Sequence, residues 1–598
     1  MKQLHHNGVL VPPRYQAKGL TVQIKGKKIE LTSEQEEMAF AWAKKVGTPY
    51  VEDRVFAKNF HRDFSRKLGI QVKPGDVDYS RILSVVEEER NRKANLSKEE
   101  RKKLAAQRKA RREANKEHYG YALVDGVKME MANYAVEPSS IFMGRGDHPL
   151  RGRWKEGPSE EDVELNLSPD ATIPPGNWKA VVWMPNVMWI ARWRDKLADN
   201  IKYVWLSDSS ILKQKKDIEK FDKARELRRN LKKVRKHIHK NLDADDQKRR
   251  KTATMCFLID KLKIRVGDEK DPDEADTIGA STLRPEHVHF NGDGTMTFNF
   301  LGKDSVPHIF KVKLPEIVIR NLKEFAVNAE SALFNGVGSK HASEFLDEVL
   351  TGLSAKVFRT CYASEAVEVK LENSPTGRSE PEYVKKYVAT MANLEAAKVC
   401  NHKRTISKNW KSSLEKKKER LKVLNNRAIS AEGKLKAKSE EVQERFKQRL
   451  KKYEERLESI KDKLKDYQQQ LVDRKQQGKS IRIVKKRVSN QRKAIERQRE
   501  RIESLKASHT GQMKKLKQKL KIRKQRDQVA NDKLKLRIDI QKRTRDYNLT
   551  TSLKSYIDPR IYYEWGNQVD YDWKRYYSQT LQKKFSWVEN EGTPLKKD

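Results

Sequence analysis

The sequence predicts an α+β protein of several parts, with a long antiparallel helical hairpin ahead of a short C-terminal segment. Three observations carry this expectation. From residue 1 to about 208, short runs alternate apolar and polar residues between turn signals such as "TIPPGN". From about 209 to 404, helical periodicity surrounds one β-hairpin pattern. From about 405 to 548 there is no proline, and the only glycines are Gly433, Gly478 and Gly511.

In the first zone, "LTVQIKGKKIEL" and "WKAVVWMPNVMWIARW" read as strand-forming pieces. Between them, "EEERNRKANLSKEERKKLAAQRKARREANKEH" has neither proline nor glycine and reads as one or two charged, solvent-facing helices. In the second zone, "RRKTATMCFLIDKLKIRVG" reads as an amphipathic helix that ends at Gly267 as its C′ residue. "TMTFNF" and "VPHIFKVKL" flank "LGKDS", which predicts a hairpin with Lys303 at its tip. "SEFLDEVLTGLSAKVFRT" and "EYVKKYVATMANLEAAKVCNH" read as core helices.

The third zone holds 47 basic and 19 acidic residues. Leu450, Tyr453, Leu457, Ile460, Leu464, Tyr467 and Leu471 step by three and four, a heptad seam. A looser seam follows at Val484, Val488, Ile495, Ile502 and Leu505, interrupted by Gln491 and Gln498. Gly478 lies between the two, so the zone should fold back near residues 476–480, with arms on the order of 100 Å. A parallel dimeric coiled coil is the alternative, which the midpoint glycine disfavours. A hairpin returns the chain to its start and brings "TSLKSYIDPR" beside "VCNHKR".

The chain has 598 residues and a net charge of +45, which points to a polyanionic partner, nucleic acid before an anionic membrane surface. No run approaches the ~20 apolar residues of a membrane span. "MKQLHHNGVLVPPRY" lacks the apolar region of a secretory signal. Cys256, Cys361 and Cys400 are an odd, sparse set, expected as reduced thiols, and no CxxC is present for a zinc ribbon. The H-x-H pairs His237/His239 and His287/His289 lack the further ligands of a metal site. "GKS" at 478–480 fails as a phosphate-binding loop because Asp473 stands where its first glycine belongs. "RGD" at 145–147 is read as chance.

Five polar residues can converge under this organisation: Arg265 at a helix end, Lys303 at the hairpin tip, Arg359 on a core helix, and His402 and Tyr556 on either side of the coiled coil. Each has a structural reading as well. Arg265 could satisfy a helix dipole, Lys303 could be solvated, and His402 could cap a helix. Tyr556 could pack beside Asp558-Pro559, an N-cap and N1 pair for "PRIYYEWGN". Six other tyrosines lie within 21 residues of it, so composition does not choose among them.

Seven ordered blocks do choose. "HNGVLVPPRY" and "IFMGRGDHPLRG", then "FLIDKLKIRVGDEK…ADTIGASTLRPEHV", "FNFLGKDS", "LTGLSAKVFRTCYAS", "VCNHKR" and "TSLKSYIDPR", resemble the cellular type IB DNA topoisomerases nearly end to end. The first resembles that family's opening segment, the second its Arg-Gly-x-His-Pro segment and the rest its catalytic blocks. The resemblance implies a bilobed DNA clamp: an N-terminal mixed α/β DNA-binding cap (1–208), a mainly helical, tyrosine-recombinase-like catalytic domain (209–405), an antiparallel coiled-coil linker (406–546) and a C-terminal domain with the nucleophile (547–598). It places the family's catalytic residues on Arg265, Lys303, Arg359, His402 and Tyr556. It suggests Arg145, Lys202, Asp304 and Lys356 as DNA contacts. No cofactor or metal is implied. The partner is double-stranded DNA and the expected state a monomer, without a membrane.

The sequence also departs from the family. The usual Ser-Lys-x-Asn-Tyr becomes Ser552-Leu553-Lys554-Ser555-Tyr556, which shifts the lysine and replaces the asparagine. Ser555 therefore puts camptothecin-type sensitivity in doubt. No counterpart of the long charged N-terminal extension of eukaryotic members precedes "HNGVLVPPRY". These departures lean towards an archaeal, nucleoid-associated member, with nuclear residence if eukaryotic.

The implied activity is ATP-independent relaxation of positive and negative supercoils. Tyr556 attacks a DNA phosphodiester, a 3′-phosphotyrosine forms, the duplex rotates, and the 5′-hydroxyl religates. The basic linker would slow rotation by electrostatic drag. A tyrosine recombinase shares the chemistry, and a non-enzymatic architectural coiled coil shares the charge. The architectural reading predicts that Tyr556→Phe changes nothing.

Overall fold

A computed structural model of the chain describes residues 1–144, 146–268, 277–303, 306–327, 329 and 331–590. The chain is mixed α and β and divides into two compact units. One comprises residues 1–379, 391–404 and 547–598; the other comprises 380–390 and 405–546.

The first unit begins with small sheets. Thr21–Ile24 and Lys27–Glu30 form a tight hairpin across Lys25 and Gly26. Both turn residues have positive φ, 50° and 79°, the pair that matches strand twist. The two strands of "WKAVVWMPNVMWIARW" do not pair with each other. Ala180–Val182 and Trp189–Arg194 flank Val163–Asn166, parallel on one side and antiparallel on the other, with Ile201–Trp205 at the edge. The charged stretch forms two helices, Ser80–Asn95 and Lys98–Tyr119. Ser97 and Glu100 close a capping box that starts the second, which buries none of its residues. Two separate apolar cores support this region, one around Phe56, Phe60 and Phe64, the other around Leu4, Val163 and Ile190.

The main core is built on the helix Gln247–Leu262, which is buried at Thr252–Asp260 and Leu262. Two expectations are corrected here. The helix does not run to Gly267. It ends at Leu262, with Lys263 in the left-handed region at φ 55° and its N–H on the Ile259 carbonyl. The residues beyond are drawn into backbone bonds with a later segment: Ala280 N–H donates to the Arg265 carbonyl at 2.8 Å and Ser281 N–H to that of Val266 at 2.6 Å. "SEFLDEVLTGLSAKVFRT" is likewise not one helix. Ser339–Asp347 and Ala355–Glu372 are separated by a turn in which Gly352 has φ 74°. The strands Thr295–Gly302 and Val306–Lys313 pair over their full length.

The second unit is dominated by the helices Trp410–Gln476 and Arg482–Arg543, packed against each other, with the turn at residues 477–481 and Gly478 at φ 64°. At 67 and 62 residues they are each about 90–100 Å long. Gln498 does not interrupt the seam. It is more deeply buried than its apolar neighbours, at 2 % exposure, and its amide donates to the Tyr453 carbonyl at 3.0 Å. His509 stacks on Phe446 with ring centroids 3.9 Å apart. Buried polar layers of this kind fix register in long coiled coils. Tyr387, in the 380–390 segment, donates to Asp539 at 2.7 Å.

Among the described residues, no helix is long and apolar enough to cross a membrane, and no three His, Cys, Asp or Glu side chains are grouped as metal ligands.

Candidate active site

The site lies within the first unit and is assembled from four distant segments. Arg265 is positioned by a backbone contact that only glycine permits. Gly267 (φ 115°) and Gly279 face each other so closely that a Cβ on Gly279 would lie 2.3 Å from the Gly267 Cα and 2.8 Å from the Arg265 carbonyl oxygen. The contact continues to the hairpin: Ile278 N–H donates to the Leu301 carbonyl at 2.7 Å, two residues before Lys303. The "DEK…AD" portion of this block lies outside the described residues.

Arg359 sits in the first half of the Ala355–Glu372 helix and is 3 % exposed. Its Nη2 donates to the Cys400 carbonyl at 2.7 Å and lies 3.1 Å from His402 Nε2. Its Nε–H is buried and has no partner among the described residues. The guanidinium carbon stands 5.1 Å from the centre of the Tyr556 ring. The His402 ring is tilted over the same tyrosine at 4.9 Å.

Tyr556 closes the short helix Leu549–Ser555, its N–H on the Ser552 carbonyl. Asp558 caps the next helix, Pro559–Val569, with proline at its start. This is the local role read from the residues, and it does not compete with the chemical one. Ser364 holds the backbone on either side of Ile557: its hydroxyl donates to the Tyr556 carbonyl at 3.2 Å and accepts from Asp558 N–H at 3.0 Å. Asn548 N–H donates to the His402 carbonyl at 2.6 Å, and Lys403 bridges Tyr547. "VCNHKR" and the tyrosine segment are thus side by side.

The electrostatics follow from burial among cations. Burial pushes the Tyr556 hydroxyl up, but the Arg359 charge, and the charge and hydrogen bond of Arg265, more than offset it; its pKa falls below the usual tyrosine value. Burial, then Arg359, Arg265 and His308, push His402 down to about 2, so the ring is neutral. His308 is pushed down to about 4, first by burial and then by Arg359 and Arg265.

Among the described residues, direct contacts join Arg265, Arg359, His402 and Tyr556. Lys303 lies outside that set, at the end of a hairpin whose other strand carries His308 against the arginines. Lys356 lies in the first turn of the Arg359 helix, and Lys202 on the edge strand opposite Trp193. Arg145 and Asp304 lie outside the described residues. Lys554 is exposed and pairs with Asp208 at 3.0 Å.

Three neighbours received no role from the sequence: His308, and Ser364 and Ser552, which lie inside motif blocks without being singled out there. His308 had a signal, since it shares an inward strand face opposite Phe300, on which it stacks at 5.1 Å. Gly302 leaves it room, because a Cβ there would lie 2.6 Å from His308 Nε2.

A tyrosine of lowered pKa beside two guanidiniums, with a neutral histidine over its ring, is a phosphoryl-transfer arrangement: a nucleophile with cations placed for developing negative charge. Comparison with known proteins agrees. The family model described as "Eukaryotic DNA topoisomerase I, DNA binding fragment" matches residues 1–206. "Eukaryotic DNA topoisomerase I, catalytic core" matches 209–435, and "C-terminal topoisomerase domain" matches 512–594. DNA topoisomerase 1 of Candida albicans is 30 % identical over 620 residues, 98 % of this chain and 78 % of that protein. DNA topoisomerase 1 beta of Arabidopsis thaliana is 36 % identical over 69 % of this chain and 46 % of its own length. For DNA topoisomerase 1 of Homo sapiens the figures are 32 %, 69 % and 56 %. The chain belongs to the eukaryotic-type DNA topoisomerase I family. It spans about half the length of several of these relatives. The archaeal leaning finds no support in them.

Proposed function

We propose that this chain is a type IB DNA topoisomerase that relaxes supercoils of both signs without ATP. The observation that carries the reading is the Tyr556 hydroxyl, half-buried yet of lowered pKa beside Arg359 and Arg265. A buried tyrosine kept only for packing has its pKa raised, as Tyr562 and Tyr577 do in the same segment.

In this mechanism the phosphodiester seats against Arg359 and Arg265, whose forked donors fit non-bridging oxygens. His402 adds a hydrogen bond. The Tyr556 proton passes to water, and the phenolate, stabilised by the two arginines, attacks phosphorus, forming a 3′-phosphotyrosine. The bond to the 5′-oxygen breaks, and Lys303 protonates that oxygen as general acid. Charge on the pentacoordinate state is met by donors already in place, each worth ~10²–10³ in rate by analogy with other oxyanion sites. The phosphotyrosine conserves the bond energy, so the released 5′-hydroxyl can attack it after the duplex has turned.

Residues 1–208 would act as the DNA-binding cap, 209–405 and 547–598 as the catalytic part and 406–546 as the linker, in a monomer that clamps the duplex. Lys202 and Lys356, with Arg145 and Asp304, are the proposed DNA contacts. The eukaryotic relatives favour nuclear residence.

Relaxation of positively and negatively supercoiled plasmid by wild type and Tyr556→Phe, in EDTA without ATP, tests the reading. Wild type should relax both and the variant neither. An inactive wild type, or a fully active Tyr556→Phe, overturns it.

A further inference from the structure

Ser552 is wholly buried on the helix that leads into the nucleophile, and its hydroxyl lies 2.7 Å from His402 Nδ1. Its carbonyl accepts the N–H groups of Tyr556 and Ile557 at 2.9 and 3.1 Å. One residue therefore holds the tyrosine backbone and touches the far side of the histidine ring.

The hydrogen-bond directions are constrained. A guanidinium nitrogen only donates, so the 3.1 Å contact from Arg359 Nη2 makes His402 Nε2 the acceptor. The neutral ring then carries its proton on Nδ1, and Nδ1–H donates to Ser552 Oγ. In that form the histidine offers no proton on the side facing Arg359 and Tyr556. A phosphate oxygen seated beside Arg359 requires the opposite: Nε2–H as donor and Nδ1 as acceptor. A serine hydroxyl serves both forms, because it accepts from Nδ1–H and, after rotating, donates to Nδ1. No net proton is taken up, since Nδ1 loses one to water and Nε2 gains one.

We propose that Ser552 is a positioning residue that lets His402 change tautomer when a phosphodiester arrives, so that a neutral histidine becomes a hydrogen-bond donor to it. The inference rests on the function proposed above and deepens it. The alternative route, protonating the ring, is opposed by burial and by both arginines. Ser552 lies 150 residues from His402, and no local spacing links the two.

The test is single-turnover cleavage of a short DNA duplex by wild type, Ser552→Ala, Ser552→Thr, His402→Ala and the Ser552→Ala/His402→Ala double variant. DNA affinity and thermal melting are measured alongside. Groups that orient metal-bound histidines typically contribute about 10–100-fold, and the same scale is expected for a group that orients His402. Ser552→Ala should slow cleavage by that much with affinity unchanged, and Ser552→Thr, which keeps a hydroxyl, should recover most of it. On the His402→Ala background, loss of Ser552 should cost less than about twofold, since coupled residues are non-additive. The inference is overturned if Ser552→Ala cleaves at the wild-type rate, or if it slows His402→Ala as much as it slows wild type. Should Ser552→Ala fail to fold, Ser552→Cys takes its place in the same cycle. Failure of wild type to cleave would instead overturn the proposed function.

Discussion

Substitution of Gly279 by alanine tests how Arg265 reaches the site. The added Cβ would lie 2.3 Å from Gly267 Cα, 2.7 Å from its nitrogen and 2.8 Å from the Arg265 carbonyl oxygen. These are backbone atoms and cannot rotate away. Restoring ordinary carbon–carbon contact at ~3.5 Å needs a displacement of about 1 Å, taken up by the segment that carries Arg265. A shift of that size in a group that must align with a reacting phosphate costs about 10²-fold in rate, and the overpacking costs about 1–3 kcal/mol of stability. Single-turnover DNA cleavage and thermal melting should therefore both fall, with DNA affinity largely kept. Gly292→Ala is the control, because a Cβ there meets nothing within 4 Å. Wild-type cleavage by Gly279→Ala, with unchanged melting, would refute the idea that this glycine contact positions the arginine.

Three other outcomes are expected. Arg359→Lys keeps the charge but loses the guanidinium whose Nη2 reaches both the Cys400 carbonyl and His402 and whose planar fork fits a phosphate; its cleavage rate should drop by about 10²–10³-fold, measured under single turnover. The pH–rate profile of cleavage should rise below the ordinary tyrosine range, because the arginines depress the Tyr556 pKa; Arg265→Ala, by removing one cation, should move that limb to higher pH, and an unmoved limb would contradict the assignment. Glu564 is raised from 4.5 to about 7, chiefly by burial. A carboxyl whose folded pKa is raised contributes stability that is present below pH 4.5 and lost as pH climbs through about 7. Glu564→Gln should therefore melt higher than wild type above pH 7 and alike below about pH 4.5; equal melting at both would show that Glu564 does not titrate as described.

Much of the local structure was legible because side-chain periodicity is a local signal. The pairing of "TMTFNF" with "VPHIFKVKL" follows from period-2 alternation around a short loop, and the Asp558-Pro559 start of a helix from capping chemistry. The same rules misplaced the end of the Gln247–Leu262 helix. Apolar spacing continues through Ile264 and Val266, but both are buried in a non-helical stretch whose Arg265 and Val266 carbonyls accept from Ala280 and Ser281. A glycine at 267 suggested a helix stop; its purpose is close approach to Gly279. Gln498 looked like a break in a seam because polarity was judged without its partner, the Tyr453 carbonyl on the facing helix.

The sequence by itself determined the charge of the molecule, the helical character of residues 405–548 with a turn near 476–480, and the motif blocks that hold Arg265, Arg359, His402 and Tyr556. These depend on composition, on spacing within a few residues, or on order along the chain. The tertiary structure decided which of those groups touch and in which protonation state. Arg359 meets His402 across 43 residues and His402 meets Ser552 across 150. Proton position and pKa depend on burial and on the nearest charges in space, and no spacing along the chain specifies either.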